Sequence, residues 1–306
     1  MIFVRTPLRI SFVGGGTDFE DFYKEHGGAV ISATIDKYVY VTVNPKFDGD
    51  VRVSYSQTEI VPTSGELKHT RVKAVLEKLD IEKGVEIVTI SDVPSGTGLG
   101  SSSALTVGLL KGLGSKGDLA DDACEIEIGM LGEQIGKQDQ YACAHGGLNL
   151  ITFGENTINV SPIKIDTQEL QNHLMFLYTG KTRLANSILR NKFDTEVLKK
   201  ISKTVSPFYD ALIKRDFYAM GKILHHGWML KKQLDGVSND EIDRVYETAL
   251  DNGAWGGKIL GAGGGGFLML MVEPSKQEQV RQAIKWREVK FKFSNKGSEI
   301  IYQTTE

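Results

Sequence analysis

The sequence predicts an α+β protein of two domains, and three observations carry that prediction. The chain has 306 residues, more than one core usually organises. Its first half alternates strand-like and helix-like stretches, whereas its second half is dominated by a long helical pattern. The change of texture falls between residues 155 and 168, which divides the chain into an N-terminal domain over 1–165 and a C-terminal domain over 166–306.

In chain order, "AVISATI" (29–35), "YVYVTVN" (38–44) and "VEIVTIS" (85–91) are β-branched and aromatic and read as three strands. "HTRVKAVLEKL" (69–79) has helical spacing. After Gly100, Leu105, Leu109 and Leu113 form one stripe of a helix that Gly114 ends. Asp118, with Asp121 three residues on, caps "LADDACEIEIGMLGEQ" (119–134) as a single helix. Strands return in "LNLITF" (148–153) and "TINVSPIKI" (157–165). Beyond Asp166 come the strand "LMFLYTG" (174–180) and helices broken at Pro207 and around Arg215. "GGKILGAGGGGFLMLMV" (256–272), a helix from near Pro274, and the strands "EVKFKF" (288–293) and "EIIYQ" (299–303) close the chain.

Composition narrows the function classes. With 41% hydrophobic and 25% charged residues the chain is an ordinary globular protein. A net charge of −3 gives no field for nucleic acid or an anionic membrane, so an anionic ligand has to be held by local features. Arg5 and Arg9 interrupt the apolar N-terminal run, which is no signal peptide, and no apolar run approaches the roughly 18 residues of a membrane span. A cytoplasmic protein is expected, with Cys124 and Cys143 as free core thiols and the sequon at Asn159 unused. A homodimer is left open.

The most informative stretch is "DVPSGTGLGSSSALTVGLL" (92–110), four glycines and four serines between an apolar strand and an apolar helix. A glycine-rich turn opening a helix suits phosphate: the first helical N–H groups lack partners, the dipole is positive there, and missing β-carbons allow close approach. It is not a Walker loop, whose nearest match, "TGKT" (179–182), has Met175 where the first glycine belongs. Nor is it a dinucleotide fingerprint, because Ser101 stands where the third glycine would be.

This stretch resembles the second signature of the GHMP kinases, P-x-x-x-G-L-x-S-S-[AS], with Pro94, Gly98, Leu99, Ser101, Ser102 and Ser103 at its positions. Two further stretches stand in family order. "TPLRISFVGGGTD" (6–18) resembles the galactokinase A-P-G-R-V-N-x-I-G-E-H-T-D, and "KILGAGGGGF" (258–267) resembles the C-terminal glycine motif. Within the family, "GGGTD", "GKQDQYA" and "GGKILGAGGGGF" are similar to sugar 1-kinases that act on a heptose 7-phosphate. The resemblance implies an N-terminal domain like domain 2 of ribosomal protein S5, a ferredoxin-like C-terminal domain and an active site between them. It implies ATP, Mg²⁺ and a sugar phosphate as ligands, with transfer to the anomeric hydroxyl giving a 1,7-bisphosphate. The rival readings are another sugar 1-kinase, for L-fucose or a hexose, and a non-catalytic ATP and sugar sensor.

Carried over residue by residue, the resemblance makes Asp139 the group beside the attacking hydroxyl, as base or as orienter, and Arg9 its cationic neighbour. Gly96, Gly98, Leu99, Gly100, Ser101 and Ser103, behind Pro94, belong to the nucleotide loop. Ser102 and Glu127 become the magnesium ligands, with Glu125 and Glu133 as competitors. Gly16, Thr17 and Asp18 face the sugar, and Gly15-Gly16 in place of the galactokinase Glu-His leaves room for a bulkier one. Gly263 and Gly264 approach substrate or phosphates through backbone. Arg183 is assigned to the substrate's own phosphate; Lys181, Arg190, Lys231 and Lys232 are expected to be mostly solvated, and Lys258 to sit at a wet strand edge. His225, His226 and Trp228 read equally as pocket wall or helix packing.

Overall fold

The computed structural model describes residues 1–182, 194–234 and 236–304. β1 (Ile2–Val13), β2 (Gly28–Pro45), β3 (Val51–Ser54), β4 (Thr58–Val61), β5 (Val85–Ser91), β6 (Leu148–Phe153) and β7 (Ile158–Pro162) belong to one sheet. β8 (Leu174–Tyr178), β9 (Ala254–Ile259), β10 (Phe267–Val272) and β11 (Arg287–Glu288) make a second, in the order β11-β8-β10-β9. β12 (Glu299–Gln303) crosses back to the first sheet, whose order is β12-β1-β2-β5-β3-β4 with β6 on β2 and β7 on β6. The division expected at 165/166 therefore separates β1–β7 from β8–β11, but the last strand lies with the N-terminal sheet, paired antiparallel to β1.

The two strands expected over 29–44 are one 18-residue strand, β2. Its first part pairs β6 and its last part β5, while β1 runs along both. The β1–β2 register shifts between Pro7 and Leu8, where proline has no N–H to continue the ladder. Opposite that shift, Asp36 is held by the C-terminal segment: its N–H donates to the Lys292 carbonyl and its Oδ1 accepts from Lys292 N.

The helix Ser101–Gly112 lies against β1 and β2 and is buried on more than one stripe, through Ala104, Val107, Leu109 and Leu110. The single helix expected over 119–134 is instead Leu119–Cys124 followed by a wider turn over Glu125–Met130, where Leu131 N–H reaches back to Ile126. In the second domain, Thr195–Ser202, Val205–Lys214, Phe217–Lys231 and Asp240–Asp251 are separate helices. Pro207 sits in the first turn of its helix, where a missing N–H costs nothing, so the break precedes it at Lys203-Thr204. Arg215, at φ +55°, ends that helix, and the Asp216 side chain caps the next.

One apolar core runs from the first sheet to Phe176, Phe208 and Met269, joining the two domains; a second collects Leu177, Trp228, Tyr246 and Ile259. Trp228 is thus core, and His225 Nδ1 lies 2.9 Å from Tyr246 Oη, so these residues pack helices. Both cysteines are free and buried. Among the described residues no helix is long and apolar enough to cross a membrane.

Candidate active site

A cleft opens between the two sheets, and the glycine and serine loop forms one wall. Gly100 adopts the left-handed conformation at φ 75° and starts the Ser101–Gly112 helix, whose first residues, Ser101, Ser102 and Ser103, line the cleft. A Cβ on Gly100 would stand 3.2 Å from both Arg9 Cγ and Asp139 Oδ2, so the bare α-carbon sets the helix mouth directly against that pair. Gly96 and Gly98 line the same wall. A Cβ on Gly98 would overlap the Leu260 carbonyl, and one on Gly261 would overlap Gly98. The two glycine runs, far apart in sequence, are therefore bare because their backbones touch.

Arg9 and Asp139 form a fork, with Nε to Oδ1 at 2.6 Å and Nη2 to Oδ2 at 2.7 Å. Arg9 also donates through Nη1 to the Gly98 carbonyl at 2.6 Å, and its backbone N–H to the Leu99 carbonyl at 3.0 Å. One buried side chain thus locks β1, the loop and the start of the Gln138–His145 helix together. Its side chain is 4% exposed, whereas that of Asp139 is 23% exposed and faces the cleft.

Asp18 and Gly16, expected to face the sugar, also line the cleft. The Asp18 carboxylate accepts from Gly16 N at 2.8 Å and Gln138 N at 3.1 Å, tying the turn after β1 to the segment that carries Asp139. Burial pushes its carboxyl above the ordinary range, against those N–H groups. The room expected at Gly15-Gly16 is partly filled: a Cβ on Gly16 would stand 2.8 Å from Leu198 Cδ2. Ser11 Oγ and Gln138 Oε1 are buried at this wall with no hydrogen-bond partner among the described residues.

Several expected residues stand elsewhere. Thr17 is fully buried and turned inward, its hydroxyl bonded to Gly14 O and Ala29 O. Leu99 is core, and Pro94 is outside the cleft, its carbonyl accepting from Thr97 Oγ1. Gly263 lines the cleft, but Gly264 does not, giving its N–H to Val237 O at 2.7 Å. Arg183 lies outside the described residues. Glu127 is the largest departure. It is fully buried, does not line the cleft, and has both oxygens engaged: Oε1 by Arg71 at 2.6 Å and by Thr106, Oε2 by Ser103 at 2.8 Å and by Gln140. Burial pushes its carboxyl up, opposed by Arg71 and the hydroxyls. Arg71 also holds Glu133 at 2.7 Å, and both face the cleft.

Sequence reasoning missed Arg71, Ser11 and Gln138, and assigned Lys231 and Lys258 to solvent. Lys258 is buried, and both lysines line the cleft. Lys258 carries one signal that was passed over, its place at the head of the glycine motif; Arg71 carries none. Among the described residues no cluster of three or more His, Cys, Asp or Glu side chains could hold a metal by itself, so a metal here has to bring other ligands with it.

Comparison with known proteins bears on this arrangement. The model of the GHMP kinases N terminal domain matches residues 68–147, and that of the GHMP kinases C terminal matches 208–287. The D-glycero-alpha-D-manno-heptose 7-phosphate kinase of Campylobacter jejuni is 33% identical, over 92% of each chain. Among solved structures, a D-glycero-D-manno-heptose 1-phosphate kinase from Bacteroides thetaiotaomicron covers all of both chains at TM-score 0.82 and 27% identity. A putative sugar kinase from Campylobacter jejuni covers 98% of this chain and 97% of its own at TM-score 0.78 and 31% identity.

Proposed function

We propose a function from the premise that the chain belongs to the GHMP kinase family: it is an ATP-dependent sugar kinase whose acceptor is D-glycero-D-manno-heptose 7-phosphate, phosphorylated at the C1 hydroxyl. The observation that carries the kinase reading is the Arg9–Asp139 fork set against the mouth of the glycine-loop helix inside the cleft. The relatives' names support the heptose phosphate.

Phosphoryl transfer asks mainly for positioning and charge neutralisation. The helix mouth at Ser101–Ser103 holds the nucleotide phosphates through backbone N–H groups and hydroxyls. Asp139 orients the C1 hydroxyl and receives its proton, while Arg9 fixes the carboxylate's direction and offsets charge on the transferring group. The sugar oxygen forms the new bond to the γ-phosphorus as the bond to the β,γ-bridging oxygen breaks, and ADP leaves with that electron pair. Ser11 Oγ and Gln138 Oε1, otherwise without partners, are placed to bond sugar hydroxyls.

Hard oxygen donors for magnesium are present: the Ser102 hydroxyl and the Glu133 carboxylate face the cleft. Magnesium, when bound with nucleotide, supplies charge neutralisation on its phosphates. In place of Glu127, Glu133 is assigned with Ser102, because Glu127 does not line the cleft and has both oxygens engaged, whereas Arg71 engages only Oε1 of Glu133. Glu127 then acts from behind, holding Arg71 and Ser103 in place.

The test is a panel of sugars and sugar phosphates with ATP and magnesium, with the product's phosphorylated carbon read by NMR. Transfer to C1 of the 7-phosphate is the expected result. Preference for heptose 1-phosphate, L-fucose or galactose as acceptor would replace the substrate assignment, and tight ATP and sugar binding without turnover would make the protein a sensor.

A further inference from the structure

We propose that Lys231 and Lys258 together seat the phosphate that the acceptor already carries, so that this pair, from the second domain, makes the enzyme a sugar phosphate kinase and not a sugar kinase. The inference rests on the sugar phosphate reading above. Lys231 is the last residue of the Phe217–Lys231 helix and Lys258 lies in β9; the two elements pack together, and both lysines line the cleft.

The other cleft arginines are neutralised, Arg9 by Asp139 and Arg71 by Glu127 and Glu133. No carboxylate lies within ion-pair distance of either lysine among the described residues. Each ammonium makes one hydrogen bond to a backbone carbonyl, Lys231 to Gly261 and Lys258 to Phe12, at 3.1 Å for the latter. Each has donors to spare, since an ammonium carries three. Two such groups near enough to repel each other in the cleft, with Asp18 the acid that acts on both among the described residues, are a cost to the free protein that a dianion removes.

Burial, with Arg9 nearby, pushes Lys231 down to about 8 against the pull of Asp18. Burial, with Lys231 and Arg9, pushes Lys258 well below the ordinary lysine range. A folded-state value below the unfolded 10.5 means that the contribution to stability is present above 10.5 and lost as pH falls through the folded value. At neutral pH the pair therefore weakens the free fold. A bound phosphate reverses this, so binding takes up protons and weakens as pH rises above about 8. The groups that face the pair are Arg9 and the Phe12 carbonyl on β1, Asp18 in the turn, the Gly261 carbonyl, and Asp139 beyond Arg9.

A terminal nucleotide phosphate has the same chemistry, because Gly261 also packs on the nucleotide loop at Gly98. Ser11 adjoins Phe12, whose carbonyl Lys258 bonds, and its orphaned hydroxyl lines the same cleft, which favours the acceptor.

The test compares wild type, Lys231→Met and Lys258→Met for kcat/KM with heptose 7-phosphate and with free heptose, and for the KM of ATP. The ratio of the two sugar efficiencies should fall about 10- to 100-fold in each variant, the span of a lost hydrogen bond to a charged group. Both variants should melt at or above the wild-type temperature, since each removes an amine whose protonation the fold disfavours. Calorimetry of heptose 7-phosphate binding at pH 8, in two buffers of different ionisation enthalpy, should show proton uptake by wild type that shrinks in each variant. An unchanged ratio in both variants would sink the seat and leave the kinase reading standing. An ATP KM that rises as much as the ratio falls would assign the lysines to the nucleotide and overturn the proposal. Wild type that accepts free sugars and no sugar phosphate would overturn the substrate reading and the seat together.

Discussion

The two walls of the cleft are built in opposite ways. The wall proposed for the nucleotide is nearly one continuous segment, Ser95 to Ser103, whose glycines let its backbone approach its neighbours. The residues proposed for the acceptor come from β1, the turn after it, the Gln138 segment, the end of a helix in the second domain and β9. A wall made of backbone tolerates little change in shape but carries little substrate specificity. One made of scattered side chains can change substrate by single replacements, and that is where relatives acting on different sugars are expected to differ.

The fork joins the walls, so breaking it should have the largest effect. Asp139→Asn is expected to cut turnover by roughly 10²–10⁴-fold, the range for a lost general base. ATP affinity should change far less, because the loop is untouched. As Arg9 meets the same carboxylate, Arg9→Met with Asp139→Asn should lose less than the product of the single losses. Single-turnover rates and nucleotide calorimetry on the four proteins check this, and wild-type turnover in Asp139→Asn would remove it from the mechanism.

Glu127→Gln comes next. Leaving Arg71 with one carboxylate should destabilise the fold by about 3 kcal/mol, as for other broken buried pairs, with little change in the magnesium requirement. Glu133→Gln should do the reverse. Urea unfolding and magnesium titrations of both variants separate the roles; a raised magnesium requirement in Glu127→Gln at full stability would restore Glu127 as the ligand.

Gly98→Val probes the nucleotide wall alone. Its side chain would strike the Leu260 carbonyl and part the two glycine runs, with an overpacking cost of about 1–3 kcal/mol and a roughly tenfold weaker ATP affinity. Unchanged affinity in a folded variant would show that the runs need not touch for nucleotide to bind. The smallest effect is expected at Pro94, which belongs to the family pattern but stands outside the cleft. Pro94→Ala should change stability by less than about 0.5 kcal/mol and leave the KM of ATP within twofold.

Strand composition, helical spacing and the glycine loop are local properties, so the sequence by itself determined most elements and the family. Asp139 and Arg9, read from motifs that keep their spacing, meet in the fold as an ion pair. Where local reasoning failed, a long-range contact had decided. Asp36 stays within one continuous strand because Lys292 bonds it from the far end of the chain. β12 leaves the second domain because β1 offers it an edge. Glu127 reads as a metal ligand facing the site until Arg71, from a helix more than fifty residues earlier, closes on it. Lys231 and Lys258 read as wet lysines because a helix end and a strand edge usually are. Only the packing of that helix end against β9, over the turn after β1, takes water away from both ammonium groups, and desolvation is a property of the assembled fold that no single segment contains.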